Sequence, residues 1–292
     1  MLRPGLTGSP LDRADTLRND PDSVTAAMSD WRARVLRLDG IDPVLDDDGL
    51  LSWGSLAEAG EEAELLLLGL LDGRPHFAAL DYAMPLAAMR SPAIFRMLDV
   101  LPPEEASTYA AARSLIDWHL RHRFCARCGN GDTAIHRGGW GRKCGNCGTE
   151  HFPRVDPVVI MLAEHDRRVL VGRQPQYPPG RYSALAGFVE PGESLEEAVA
   201  RELFEEAGLR VRDVRYVVSQ PWPFPSSLMM ACMATTDDPT LVIDTTELDD
   251  AFWADRAGVE AAMNGASDGP FLPPPPFAIA HTLFRWWLDQ AG

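Results

Sequence analysis

Glu205 and Glu206 lie three and four residues beyond Glu202 in the stretch Gly187 to Leu209, GFVEPGESLEEAVARELFEEAGL. On a helix this spacing brings the three carboxylates to one face, where each like-charged pair costs about 0.2–0.5 kcal/mol. Something cationic should offset that cost. Hard divalent ions such as Mg2+ or Mn2+ take oxygen ligands and bridge to phosphate oxygens, so carboxylates, metal and diphosphate would form one assembly. Spacing alone fits a solvated acidic face as well. A second constellation is Cys125 and Cys128, fifteen intervening residues, then Cys144 and Cys147. This is the spacing by which two knuckles present four thiolates to one tetrahedral Zn2+. Four protein ligands leave no open position for water, so such a metal staples the fold and does no catalysis. A redox dithiol and a nucleic-acid-binding ribbon are the rival readings.

The elements around these residues follow from local signals. Ser194 with Glu197 forms a capping-box signature and Gly208 a helix stop, which predicts a helix from Leu195 to Ala207 with Leu195, Ala198, Val199 and Leu203 facing inward. Val158–Ala163 and Val169–Gly172 read as a strand pair around Asp166 and Arg167. Pro102 and Pro103 open a second helical stretch, in which Tyr109, Ala112, Ile116 and His119 or Leu120 recur at helical spacing. Between Trp31 and Leu80, apolar runs broken by Asp-Gly pairs at 39–40, 48–49 and 72–73 predict strands joined by tight turns, a small, mostly β domain. Residues 1–29 show no sustained period and predict a loosely held leader. Gly129 and Gly148 let the chain turn after each cysteine pair and free amides for the sulfurs. His119, His122, His136 and His151 read as surface or packing residues, and Cys232 as a small buried one. Phe277 to Gln290, after the Pro273–Pro276 run, reads as a final helix whose Trp286 and Trp287 serve either a core or an interface.

Composition narrows the function classes. The chain has 292 residues, 46% of them hydrophobic, and 27 basic against 43 acidic residues for a net charge of −16. Length and apolar content allow about two domains. The acidic balance disfavours general coating of nucleic acid or anionic membrane, so a phosphate substrate must meet metal ions or locally placed arginines. Residues 121–153 are the one basic stretch, at +4. The longest apolar run, Leu65 to Leu71, is far short of the ~20 residues a membrane helix needs, and the amino terminus offers no secretory signal. Cysteines in metal-binding pairs point to a reducing compartment, so a cytoplasmic location is expected.

Gly187, five residues, Glu193, seven residues, then Arg201-Glu202-Leu203, one residue, Glu205-Glu206-Ala207-Gly208-Leu209 resembles the Nudix box at every defining position. Eleven residues past Gly208 comes Ser-Gln-Pro-Trp-Pro-Phe-Pro-Ser-Ser, 219–227, whose alternating prolines stiffen the backbone around the rings of Trp222 and Phe224. This array and the preceding cysteine ribbon resemble the NADH pyrophosphatase family of Nudix hydrolases, firmly from Phe124 to Ala280 and only generally over residues 1–120. The resemblance implies an α+β fold: a Nudix α/β/α sandwich (154–292) preceded by a zinc ribbon (121–153) and a mostly β N-terminal domain (1–120). It implies metal ligation by Glu202, Glu206, Glu205, Glu247 and the Ala186 carbonyl, and a bracing role for Gly187, Glu193 and Arg201. Asp244, Asp249 and Asp250 crowd Glu247 and compete for its role. Glu206 or Glu205 would orient or deprotonate the attacking water. Gln220, Pro221, Trp222, Pro223, Phe224, Pro225, Ser226 and Ser227 would form the substrate loop, with Phe188, Phe152 and Ala280 as further contacts. Phe152-Pro153 replaces the Tyr-Pro of family members, which keeps a ring and loses a hydroxyl. The implied reaction is metal-dependent cleavage of NADH or NAD+ to nicotinamide mononucleotide and AMP, extended by the same chemistry to NAD caps on RNA, in a homodimer. Another nucleoside diphosphate substrate, or a ligand-sensing Nudix module without catalysis, are the alternatives.

Overall fold

The computed structural model describes residues 2–83 and 92–290. Contacts divide the chain into two compact units, one of Leu6–Val155 with Trp222–Ser226, the other of Met1–Gly5, Asp156–Pro221 and Ser227–Gly292. The cysteine ribbon groups with the N-terminal residues in the first of these.

In that N-terminal unit, two short helices, α1 (Asp15–Arg18) and α2 (Pro21–Met28), precede strands β1 (Arg34–Leu36), β2 (Leu38–Asp39), β3 (Asp42–Pro43), β4 (Trp53–Ser55), β5 (Glu64–Leu71) and β6 (Arg74–Leu80). The main sheet has the order β4-β1-β6-β5. Asp72 and Gly73 close the β5–β6 hairpin with positive φ at both residues, the backbone of the tight turn that Asp-Gly favours. Where a loosely held leader is expected over residues 1–29, the described residues 2–29 carry α1 and α2, and those from Leu6 on belong to this unit. Asp12 exchanges both backbone hydrogen bonds with Leu70, at 2.9 and 2.8 Å, and so is stitched to the edge of β5. Gly69 permits this approach, since a Cβ there would lie 2.3 Å from the Asp12 carbonyl oxygen. Leu6 and Leu11 are buried, contacts that no local periodicity announces.

Helix α3 (Pro92–Leu98) and the long α4 (Pro103–Arg121) follow, and α4 buries Tyr109, Ala112, Ile116 and His119 as their spacing predicts. The ribbon strands β7 (Thr133–His136), β8 (Gly141–Cys144) and β9 (Glu150–His151) form an antiparallel sheet. His119 anchors the helix to it: its Nε2 contacts the Gly139 carbonyl oxygen at 2.8 Å, and Arg142 Nη1 lies 3.1 Å from its Nδ1. Burial pushes the His119 pKa down to about 4.

The second unit is built on β10 (Asp156–His165), β11 (Arg168–Arg173), β12 (Leu185–Phe188), β13 (Arg212–Trp222), β14 (Ser227–Thr235) and β15 (Asp250–Asp255), with helices α5 (Leu195–Ala207), α6 (Arg256–Met263) and α7 (Ile279–Asp289). The sheet order is β13-β14-β10-β11-β15, and β12 pairs antiparallel with β10. The apolar run of β10 is buried on both sides. Val159, Met161 and Ala163 pack with Ala198, Val199, Leu203 and Ala207 of α5. Ile160 and Leu162 pack with Val259 of α6 and Leu283, Phe284 and Trp287 of α7. A strand covered on both faces needs apolar residues at every position, which is why its pattern is a run with no alternation. Trp287 belongs to this core, donating to Glu164 Oε2 at 2.6 Å. Among the described residues, no helix is long and apolar enough to cross a membrane.

Candidate active site

Helix α5 carries the glutamates, and its ends are set by its own sequence. Ser194 Oγ accepts from the Glu197 amide at 3.2 Å while Glu197 Oε2 accepts from the Ser194 amide at 2.7 Å. Gly208 stops the helix at φ 73°, with its amide bonded to the Phe204 carbonyl and that of Leu209 to Leu203. Burial of Val199 and Leu203 contributes about 3–6 kcal/mol and presses the helix onto the sheet. Glu202 and Glu206 thereby become buried as well, at 9% and 3% exposure, while Glu205 remains exposed.

Arg201 is the first cation beside these acids. Its Nε and Nη2 form a two-pronged pair with Glu193, at 2.6 and 2.9 Å, and Nη2 also donates to the Phe188 carbonyl at 2.8 Å. Its Nη1 reaches Glu202 Oε1 at 2.8 Å and Glu205 Oε2 at 3.0 Å. The Arg201 guanidinium and the Glu190 amide pull Glu193 down to about 2. One arginine therefore ties the loop 188–193 to the helix and neutralises part of the acidic face. Glu206 is left out. Its Oε2 is buried without a hydrogen-bond partner, and burial, then the charges of Glu202, Glu247, Asp244 and Glu205, push its pKa up to about 8. An orphaned carboxylate oxygen among acids is the feature a bound cation would satisfy.

Gly187 makes room for this arrangement. A Cβ there would lie 1.8 Å from Glu202 Cδ, so the glycine is the cradle of that carboxylate. Ala186, just before it, lines a narrow cleft of about 20 Å3 together with Glu206, Gln174, Tyr177 and Leu248. Gln174 and Tyr177 carry no local sequence signal for this position and come from the loop after β11.

The structure separates the four acids near residue 247. Asp244 Oδ1 accepts from the amide and hydroxyl of Thr246, Asp249 pairs with Arg173, and Asp250 accepts from the Tyr182 hydroxyl at 2.5 Å. Glu247 is exposed, and its charge acts on both Glu202 and Glu206.

The residues of 219–227 are divided by burial. Gln220 is fully buried, its amide donating to the Phe277 carbonyl at 3.1 Å and its Oε1 without a partner. Pro223, Phe224 and Ser227 are buried, whereas Trp222, Pro225 and Ser226 are half-buried and Pro221 is exposed. The Phe224–Pro225 bond is cis. Phe224 packs against Phe95 and Trp222, and Arg113 covers its ring. Ala280 is 2% exposed, on the face of α7 that packs toward the sheet. Phe188 is 60% exposed; Phe152 is 43% exposed, with Arg137 over its ring.

The four cysteines form a separate centre. All four sulfurs lie within 4.8 Å of one another. The Cys125–Cys147 and Cys128–Cys144 pairs are 3.6 and 3.7 Å apart, close to the about 3.8 Å edge of a tetrahedron with 2.3 Å zinc–sulfur bonds. Among the described residues this is the one set of acidic, histidine or cysteine ligands drawn so close, and the box carboxylates are not gathered to the same degree. The Gly129 and Gly148 amides donate to the carbonyls of Cys125 and Cys144, and the amides of Asn130 and Thr149 serve the sulfurs of Cys128 and Cys147. His151 Nε2 lies 3.2 Å from Cys125 Sγ, and Asn146 Nδ2 donates to Cys128 at 3.6 Å. His151, read from sequence as surface or packing, thus supports the sulfur site.

Residues 153–273 match the NUDIX domain family, and residues 120–152 match the NADH pyrophosphatase zinc ribbon domain. The chain is 38% identical over 292 residues to the NAD-capped RNA hydrolase NudC of Mycobacterium bovis (strain BCG / Pasteur 1173P2), across 94% of this chain and 92% of the relative. The chain belongs to the Nudix family. It is also 37% identical over 265 residues to the human NAD-capped RNA hydrolase NUDT12, across 87% of this chain and 54% of that protein, so it spans about half the length of that longer relative. A crystal structure of a NUDIX hydrolase from Nitrosomonas europaea aligns with TM-score 0.46 and 25% identity, over 56% of this chain and 90% of its own. By the family matches, Gly187 to Leu209 is the Nudix box, α5 is the Nudix helix, and residues 120–152 are a zinc ribbon that carries the four-cysteine cluster.

Proposed function

We propose that this chain hydrolyses the diphosphate bond of NADH or NAD+ to nicotinamide mononucleotide and AMP, and removes NAD caps from RNA 5′ ends by the same chemistry. The observation that carries this reading is the Glu206 carboxylate, buried and orphaned among acids beside the Gly187 cradle. The donors are all hard oxygens, which suits Mg2+ or Mn2+. Glu202 and Glu206, with Glu205, Glu247 and the Ala186 carbonyl, would hold such ions, whose chemistry there is to polarise phosphoryl oxygens and acidify a water for in-line attack. Glu206 releases its proton when a cation binds, so uptake strengthens as pH rises. Glu205, exposed and paired with Arg201, is the carboxylate we assign to orient or deprotonate the water, with Glu206 as the alternative. Arg201 and Glu193 keep the box loop in place through the Phe188 carbonyl. The open ring of Phe188 supplies a stacking face for a flat base. We retain Gln220–Ser227 as the substrate loop, Phe152 as a second ring and Ala280 as a further substrate contact. The basic ribbon, 121–153, is the face we assign to an RNA chain. Four thiols reserved for metal suit the cytoplasm, and the family resemblance supports a homodimer.

The test is a product assay of the purified chain with NADH, NAD+ and NAD-capped RNA, with and without Mg2+ or Mn2+. Mononucleotide products that require a divalent ion are expected. Glu206→Gln should abolish turnover while nucleotide binding persists. Turnover without divalent ions, or an unimpaired Glu206→Gln variant, refutes the proposal; binding with no turnover in the unmodified chain favours the ligand-sensing alternative.

A further inference from the structure

Residues 222–226 depart from the unit that flanks them in sequence: strands β13 and β14 belong to the Nudix unit, but Trp222–Ser226 clusters with residues 6–155. Pro223 and Pro225 have no amide hydrogen, so this segment cannot be held by a strand ladder. Its carbonyls and rings are the available handles, and α4 takes hold of them. Arg113 Nε donates to the Pro223 carbonyl at 3.1 Å, and its guanidinium lies 4.8 Å from the centre of the Phe224 ring. Ser114 Oγ lies 3.5 Å from the Pro225 carbonyl, and Phe95 of α3 stacks on Trp222 with ring centres 6.1 Å apart. Arg113 itself is held by the Tyr109 hydroxyl at 3.0 Å, which in turn donates to the Ile41 carbonyl at 3.0 Å.

A guanidinium that is 4% exposed carries a large desolvation cost, which its hydrogen bonds must offset. The Pro223 carbonyl and the Tyr109 hydroxyl accept from it, and Asp42 stands 3.4 Å from its Nη1. One of those bonds, and its cover over the Phe224 ring, fall on residues 222–226.

We propose that Arg113 is a positioning residue for the substrate loop: from α4 of the N-terminal unit it fixes residues 222–226 in the conformation that receives the dinucleotide. The inference rests on the dinucleotide hydrolase reading above.

The experiment uses the full chain and Arg113→Met, which fills the space without the charge or the donors. The variant should still unfold cooperatively, at a lower temperature than the wild type because the Pro223 carbonyl loses its donor. Hydrogen exchange at the amides of Trp222, Phe224 and Ser226 should quicken. Each residue freed in the unbound state must be re-ordered on binding, a factor of about 5–30, so KM for NADH should rise by that order while kcat is unchanged. Arg113→Lys, which keeps the charge without the forked donors, should fall between. If Arg113→Met fails to fold, Tyr109→Phe removes the hydroxyl that holds Arg113 at almost constant shape, and should raise KM in the same direction. Wild-type turnover with KM unchanged in the folded variants overturns the assignment alone, as does a fall in kcat with KM constant. No dinucleotide hydrolysis by the wild type defeats the functional reading, and the assignment with it.

Discussion

Replacing Glu206 by Gln should stabilise the metal-free protein while it abolishes turnover. Glu206 is 3% exposed, its Oε2 has no partner, and its pKa stands at about 8 against an ordinary 4.5. Below pH 4.5 the carboxyl is protonated in both folded and unfolded chains and costs nothing. Between 4.5 and 8 the unfolded chain ionises while the folded one keeps the proton, so stability falls as pH rises, and it levels off above 8. At 1.36 kcal/mol per pKa unit, the penalty is at most about 3 kcal/mol at pH 7 and about 5 kcal/mol above pH 8. The amide of Glu206→Gln carries no charge and escapes this slope. Denaturant unfolding of both proteins from pH 5 to 9, after dialysis into buffer free of divalent ions, measures the difference; a chelator would strip the ribbon. The gap should open with pH, and millimolar Mg2+ or Mn2+ should close it by stabilising the wild type alone. A variant less stable than the wild type at pH 8, or a gap that does not widen with pH, would refute the account of Glu206 as an uncompensated buried acid.

Three further outcomes follow from distances at the two centres. Gly187→Ala places a methyl within 1.8–2.2 Å of the Glu202 carboxyl group, so Glu202 must leave its cradle; a displacement of that size should lower turnover about 100-fold, measured at saturating Mn2+, with the circular dichroism spectrum intact. Cys144→Ser should lose the zinc, and because such sites bind with ~10–16 kcal/mol against a typical domain stability of 5–15 kcal/mol, the N-terminal unit should unfold with it. Metal content by atomic emission checks this, and full retention of zinc speaks against it. Glu193 is held near 2 by Arg201, so its contribution is present above about pH 4.5 and fades as pH falls through 2. Glu193→Gln should therefore unfold more readily than the wild type at pH 6 and indistinguishably near pH 2, and equal stability at pH 6 counts against the brace.

The acidic stretch around residue 247 shows where sequence reasoning loses resolution. Asp244, Glu247, Asp249 and Asp250 are equivalent carboxylates on paper. Thr246, Arg173 and Tyr182 occupy the three aspartates; the first is a turn contact two residues away, but Arg173 and Tyr182 lie 76 and 68 residues off and reach Asp249 and Asp250 only in the folded chain. The same holds for the Pro-aromatic segment. Its stiffness is legible from alternating prolines, but Phe224 is turned inward by α3 and α4, more than 100 residues earlier in the chain.

What the chain's own sequence determined is everything governed by neighbours three or four residues apart: the cap and stop of α5, the turns at Asp72-Gly73 and Asp166-Arg167, the cysteine spacing, and the acidic face of the Nudix helix. Such features depend on local torsions and on hydrogen bonds that close within one turn, so residue types are enough to specify them. Tertiary structure alone decided which acid is orphaned, which glycine cradles a carboxylate, and which arginine grips the 222–226 segment. Those properties come from burial and from contacts between distant segments, and desolvation acts on a side chain only after packing has removed it from water.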